Sequence, residues 1–244
     1  FAGGSISKDF APHAVKAGAV VIDNSSAFRM DPEVPLVVPE VNPQAILKHK
    51  GIIANPNCST IIMVMALKPI YDLAKIKRVI VSTYQAVSGA GKEGIDELDA
   101  QVREHSEGRE MTANILPSAS AEKHYPIAFN LIPQIDVFCD NLYTKEEMKM
   151  VNETKKIMED YEMRITATTI RVPVYRSHSE SVNIELEKEV DLGAMREALA
   201  KFPGVTVQDD PSKQEYPMPL YTSEKDDVYV GRLRRDESWE KSYN

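Results

Sequence analysis

The run Ser59 to Leu73, S-T-I-I-M-V-M-A-L-K-P-I-Y-D-L, is apolar nearly all the way round a helix, and this constrains the fold more than any other stretch. A helix without a polar face has to be covered on every side, so layers of sheet and helix must enclose it. With 244 residues, 43% of them apolar, the chain is long enough to supply those layers. The run itself is too short for a bilayer, which needs roughly 20 consecutive apolar residues. Pro69, inside it, is expected to kink or end the helix.

The flanks suggest what the covering layers are. Ala19 to Ile22 is a short apolar run ending in D-N-S-S, and Gly51 to Asn55 is a second one ending in P-N-C. Both have the length and borders of buried strands in a parallel sheet, whose carboxyl ends are where open α/β sheets bind ligands. Residues 31–43 between them contain four prolines and read as an irregular excursion. Downstream, Arg78 to Val87 is a β-branched strand. It leads into the turn S-G-A-G-K-E-G and then Ile95, Leu98 and Val102 at helical spacing. Thr144 with Glu147 predicts a capping box that opens a helix reaching about Asp160. Its Met148, Val151 and Met158 are expected inward, with Glu146, Lys149, Glu153 and Lys156 on the opposite face. T-A-T-T-I-R-V-P-V and S-V-N-I-E-L-E alternate at period two, and Asp191 caps a further helix before V-T-V-Q. This interleaving predicts an α+β domain with a mixed sheet, and the domain break is placed near Cys58.

A net charge of -8 opposes general affinity for nucleic acid. No signal pattern opens the sequence and no membrane span is predicted, which reads as a cytoplasmic protein. Cys58 and Cys139 are too few for a disulfide framework and lack zinc-like spacing, so both are expected as free thiols. The chain starts at Phe1 rather than Met and reads as an excerpt of a longer product.

Cys58 closes N-P-N-C-S-T at the junction of a strand and the apolar helix. There its sulfur is expected near unpaired backbone N–H groups and the positive helix end, a setting that favours the thiolate. A buried structural cysteine is the alternative, and the polar neighbours Asn57 and Ser59 weigh against it; Cys139 is read as structural. His178 and Arg171 lie seven residues apart between two strand patterns. An imidazole passes protons and a guanidinium grips carboxylates, although such a pair also occurs as a plain surface pair. The loop Ser88 to Gly91 either lets a cofactor approach the backbone or is an ordinary turn.

N-P-N-C-S-T, T-Y-Q-A-V-S-G-A-G, E-E-M-K followed by E-T-K-K-I, and R-V-P-V with H-S-E-S-V resemble, in this order and along nearly the whole chain, the motifs of the aspartate-semialdehyde dehydrogenases. The resemblance implies an α/β fold. Residues 1–57 are then a remnant of a Rossmann-type parallel-sheet, NADP-binding domain. Residues 58–244 are an α+β catalytic and dimerisation domain like the C-terminal domain of glyceraldehyde-3-phosphate dehydrogenase. It also implies roles: Cys58 as nucleophile, Gln85 orienting the acyl group, His178 as acid/base, Arg171 on the substrate α-carboxylate, and Glu146 on its α-amino group. Arg29 and Lys149 would hold phosphate, and backbone N–H groups near Asn57 and Cys58 would serve an oxyanion. For four of these the residues alone allow a plainer reading. Glu146 and Lys149 fit a solvated helix face, Arg29 a pair with Asp31 or Glu33, and Gln85 a partner for buried backbone.

The implied cofactor is NADP, held by Gly3, Gly4, Ser5, Asn24, Ser88, Gly89 and Gly91. The implied substrates are β-aspartyl phosphate, aspartate semialdehyde and phosphate, the implied assembly a homodimer, and the implied pathway lysine, methionine and threonine synthesis. The family's glycine-rich fingerprint and its last long helix are missing, so the chain alone is expected to bind NADPH poorly. The rival readings are an N-acetyl-glutamyl-phosphate reductase, a cysteine hydrolase and a non-catalytic dimerisation fragment.

Overall fold

The computed structural model describes residues 3–244. Helix α1 (Gly4–Lys16) leads to strand β1 (Val21–Asp23), and after a proline-rich excursion with a 3-10 turn at Pro43–Lys48 the chain returns as β2 (Ile52–Ala54). The two strands pair in parallel, Val21 opposite Ile52 and Asp23 opposite Ala54, as their short apolar runs predict. Their carboxyl ends meet, the Asn55 side-chain amide donating to the Asn24 side-chain oxygen.

Helix α2 (Cys58–Leu73) follows at once. Asn57 caps it, its side-chain oxygen accepting the Thr60 N–H at 3.1 Å. Pro69 does not end this helix, which continues to Leu73. Burial of Met63, Val64, Leu67 and Ile70 on successive turns outweighs the one backbone bond that a proline forfeits. The remaining elements are β3 (Ile76–Gln85), α3 (Gly91–Ser106), α4 (Lys145–Ile157), β4 (Arg164–Arg171), β5 (Ser179–Leu186), α5 (Leu192–Lys201), β6 (Val205–Val207), α6 (Pro219–Thr222), β7 (Val228–Val230) and β8 (Ser242–Tyr243).

The main sheet runs β4-β3-β5-β8 and is mixed, β3 lying parallel to β4 and antiparallel to β5. Side chains alternate along β3: Val79, Val81, Thr83 and Gln85 are buried, while Arg78, Ile80, Ser82 and Tyr84 are half-buried or exposed. The inner face packs on α2 and α4, and α5 packs on α2, in one core that includes Met63, Leu67, Val79, Val81, Met150, Ile157, Ile184 and Leu199. Thr168 of β4 and Ser181 of β5 are exposed on the outer face. A smaller core of Val87, Leu98, Leu116, Ile127 and Ile132 lies under the long segment after α3.

Two expected faces are corrected. Helix α4 has the predicted capping box, with Thr144 accepting from the Glu147 N–H and Glu147 accepting from the Thr144 N–H, but it buries Glu146, Glu147, Met150, Glu153, Thr154 and Ile157. Met148, Val151 and Met158 are only half-buried. The acids can be interior because each has partners, as Glu147 has in the Thr169 N–H at 2.9 Å. On α3, Val102 is exposed, and Glu97 and Gln101 are buried instead. Glu97 accepts the N–H groups of Asn114 and Ile115, and Gln101 those of Ile127 and Ala128. Among the described residues no helix is long and apolar enough to cross a membrane.

Candidate active site

A cleft of about 350 Å³ opens where the ends of β1 and β2 meet α2, α4 and the carboxyl ends of β3 and β4. Asn24, Arg29, Asn57, Cys58, Gln85, Gly89, Glu146, Lys149 and Arg171 line it, so the fold gathers most of the residues singled out from the sequence. Gln85 and Arg171 are paired neighbours in the parallel register of β3 and β4, which brings their side chains to the same face at the strand ends.

Glu146 is the hub. One carboxylate oxygen accepts from the Asn57 amide at 2.9 Å and the Gln85 amide at 3.1 Å, and the other from Lys149 Nζ at 3.1 Å. Burial pushes its pKa up, but Lys149 and these amides outweigh burial and hold the carboxyl below its ordinary range. Lys149 also donates to Asp136 at 3.0 Å, a carboxylate that nothing in the sequence had marked. Gln85 accepts from the Thr83 hydroxyl at 3.0 Å, so both ends of its amide are fixed.

Cys58 is the first residue of α2, and its side chain is open to the cleft. The thiolate is not favoured here, contrary to the sequence expectation. The crowding of protein around the sulfur and the charge of Glu146 raise the thiol above its ordinary value, outweighing the Ser59 N–H and Arg171. The Asn57 N–H is also unavailable to an oxyanion, because it donates to Glu153 at 2.7 Å.

His178 stands just before β5, and its Nδ1 accepts the Ala86 N–H at 3.0 Å. That bond makes Nε2 the protonated nitrogen of the neutral ring. Burial and the Arg171 charge bring the imidazole down to about 4, so it is neutral at physiological pH. Its ring joins the cleft through Gly89, where a β-carbon would stand 3.4 Å from Nε2. Arg171 donates from Nη1 to the Ala86 carbonyl at 2.7 Å, and its buried Nε has no partner among the described residues.

Arg29 pairs with neither Asp31 nor Glu33. It donates to the Asn55 carbonyl at 2.9 Å, the Asn24 carbonyl at 2.9 Å and Glu153 at 3.2 Å. Of the five N–H groups of a guanidinium, two are left for a ligand. Sequence reasoning took Glu153 for part of a charged helix face and passed over Asp136, since their partners Arg29 and Lys149 lie 124 and 13 positions away and only the fold brings them together.

Around α1 the backbone is open. Gly3, with φ 87°, precedes the helix, none of the residues of its first turn is acidic, and a β-carbon on Gly3 or Gly4, or on Gly91 at the start of α3, would meet nothing within 4 Å. Unobstructed N–H groups at a helix start suit the phosphates of a dinucleotide, so the residues fit such a cofactor. Among the described residues no cluster of His, Cys, Asp and Glu is placed to hold a metal ion.

Residues 1–49 match the family model of the semialdehyde dehydrogenase NAD binding domain, and residues 67–243 match that of the semialdehyde dehydrogenase dimerisation domain. The chain is 57% identical to the aspartate-semialdehyde dehydrogenase of Aquifex aeolicus, covering 98% of this chain and 69% of that protein. To that of Bacillus subtilis it is 56% identical, over 96% and 68%. A crystal structure of aspartate semialdehyde dehydrogenase II from Vibrio cholerae superposes with a TM-score of 0.94 at 47% identity, covering 100% of this chain and 71% of that one. A second structure of that enzyme, complexed with ASA, gives a TM-score of 0.93 at 46% identity, covering 100% and 70%.

Proposed function

The chain belongs to the aspartate-semialdehyde dehydrogenase family, and on that premise we propose that it interconverts β-aspartyl phosphate and aspartate semialdehyde through a thioester on Cys58, a step toward lysine, methionine and threonine. The observation that carries this reading is one cleft holding a thiol at the start of a buried helix, a carboxylate for an ammonium, an arginine with an unpartnered N–H, and two cations. Residues 1–57 serve the dinucleotide and residues 58–244 the acyl chemistry and assembly. The two matched family models lie on either side of that division.

Cys58 Sγ bonds to the acyl carbon as the bond from that carbon to the phosphate oxygen breaks. Phosphate leaves with the electron pair and the thiol proton. Arg29 and Lys149 offset the charge of the departing group. Glu146 takes the substrate ammonium, Arg171 the α-carboxylate through its free Nε, and Gln85 orients the acyl oxygen, with Asn57 bracing Glu146. Acyl oxygen charge falls to the N–H groups at the start of α2 beyond Asn57. The His178 Nε2–H hydrogen-bonds that oxygen as charge develops on it, and the proton lent to the oxygen returns to Nε2 when the carbon–sulfur bond breaks. The chemistry supplied by bound NADPH is hydride, and Gly3, Gly4, Ser5, Asn24, Ser88, Gly89 and Gly91 are the residues that would hold it.

NADP rather than NAD, a cytoplasmic location and a homodimer complete the reading. The uncovered outer face of the mixed sheet, together with the match to a dimerisation domain, supports pairing with a second copy. The test is NADP-dependent oxidation of aspartate semialdehyde with and without phosphate, in wild type and Cys58→Ala of the chain lengthened at both ends with the matching segments of a relative, with NAD as a parallel arm. Phosphate-dependent turnover that vanishes with the thiol is expected. Turnover that ignores phosphate or survives Cys58→Ala overturns the acyl-enzyme route.

A further inference from the structure

Glu153 lies on α4, far along the chain from Cys58, yet it is 1% exposed and its two oxygens are divided between two parts of the cleft. Oε1 accepts from Arg29 Nη1 at 3.2 Å, and Oε2 accepts the backbone N–H of Asn57 at 2.7 Å. Asn57 is the cap of α2 and the residue before Cys58. Arg29 in turn holds the carbonyls of Asn24 and Asn55 at the ends of β1 and β2. One carboxylate therefore sets the distance between the nucleophile's helix and the arginine that faces phosphate, and couples both to the strand ends of the dinucleotide half.

We propose that Glu153 is a positioning residue for phosphate. By tying the Asn57 N–H to the Arg29 guanidinium it holds the anion-binding N–H groups at a fixed reach from Cys58 Sγ. This rests on the reading of Cys58 as nucleophile and Arg29 as a phosphate contact. Two physical pictures give opposite signs. A buried negative charge acting only through its field repels phosphate, so its removal would tighten phosphate binding. A brace acts through geometry, so its removal frees Arg29 and the loop before Cys58, and phosphate binding weakens.

The experiment follows alkylation of Cys58 by iodoacetamide in the 244-residue chain, by mass spectrometry, across a series of inorganic phosphate concentrations. Wild type should be protected, and Glu153→Gln, nearly identical in shape, should need about tenfold more phosphate for half-protection. Its thermal melt should stay cooperative. Should that variant lose its cooperative melt, Glu153→Asp keeps the charge but shortens the reach by one methylene, and is expected to raise the half-protection concentration at least about threefold. Half-protection unchanged or at lower phosphate in the folded variant overturns the brace while leaving the acyl-enzyme reading intact. Phosphate that fails to protect wild-type Cys58 overturns both.

Discussion

Gly89 lies against the tip of Arg171: a β-carbon there would stand 2.6 Å from Nη1, and 3.3 and 3.4 Å from Cε1 and Nε2 of His178. The Arg171 tip has little freedom to give way, because Nη1 is held by the Ala86 carbonyl at 2.7 Å. Gly89→Ala therefore displaces the two groups proposed to hold the substrate carboxylate and to serve the acyl oxygen. A displacement of about 1 Å in such a site typically costs on the order of a hundredfold. Steady-state kinetics should show kcat/KM for aspartate semialdehyde falling 10- to roughly 100-fold, with the melting temperature nearly unchanged because the backbone there suits an alanine. A variant with wild-type kinetics would show that the loop has room the structure denies it.

His178 links stability to acid. Its folded value of about 4 lies below the ordinary 6.5, so between those limits the unfolded chain binds a proton that the folded one refuses. The stabilisation this gives is complete above pH 6.5 and is lost as pH falls toward 4, amounting to roughly 3 kcal/mol at most. Urea midpoints of wild type and His178→Asn, measured from pH 7.5 to 4.5, should converge as the solution is acidified. Parallel curves across that range would mean that the ring is not held neutral by its surroundings.

What a short window decides was legible in the sequence. Thr144 and Glu147 cap α4 through bonds three residues apart, Asp191 caps α5, and the period-two patterns become β4 and β5. The buried face of α4 was not legible, because its acids are satisfied by residues remote in sequence. Glu153 meets Arg29 124 positions away, and Glu146 meets Asn57 89 positions away. A charge pattern on one helix cannot report such partners, so it reads as a solvated face. The raised thiol of Cys58 has the same origin. The helix start is local and visible, whereas the crowding and the Glu146 charge that override it come from the packed cleft.

Gln101 anchors the long segment after α3. Its oxygen accepts the N–H groups of Ile127 and Ala128 at 2.8 and 3.0 Å, and its nitrogen donates to the Thr112 carbonyl at 2.8 Å. Gln101→Leu leaves those backbone groups buried and unmatched, at about 1–3 kcal/mol each. Chemical denaturation should register a loss of about 3 kcal/mol or more. Hydrogen exchange should speed up at Ile127 and Ala128 while the amides of β3 stay protected. Unchanged exchange at those two positions would rule out the anchor.

Glu146 exerts two opposed effects, and a single substitution separates them. Its negative charge, after crowding, is the second cause of the raised Cys58 thiol, so Glu146→Gln removes a charge that disfavours the thiolate. Lys149 is then left with less neutralising charge nearby, which favours the thiolate further. The pH at which Cys58 becomes reactive should therefore move down, and alkylation at pH 8 should quicken several-fold. Turnover should fall in the same variant, because the carboxylate proposed to hold the substrate ammonium has gone, and a lost charged contact typically costs on the order of a hundredfold in kcat/KM. A thiol that becomes more reactive in an enzyme that becomes slower is a combination that general loosening of the cleft does not produce, since loosening moves every site residue without preference for the thiolate. If alkylation and turnover fall together, Glu146 acts on Cys58 only through the Asn57 and Gln85 amides it holds, and the electrostatic account of the thiol is wrong.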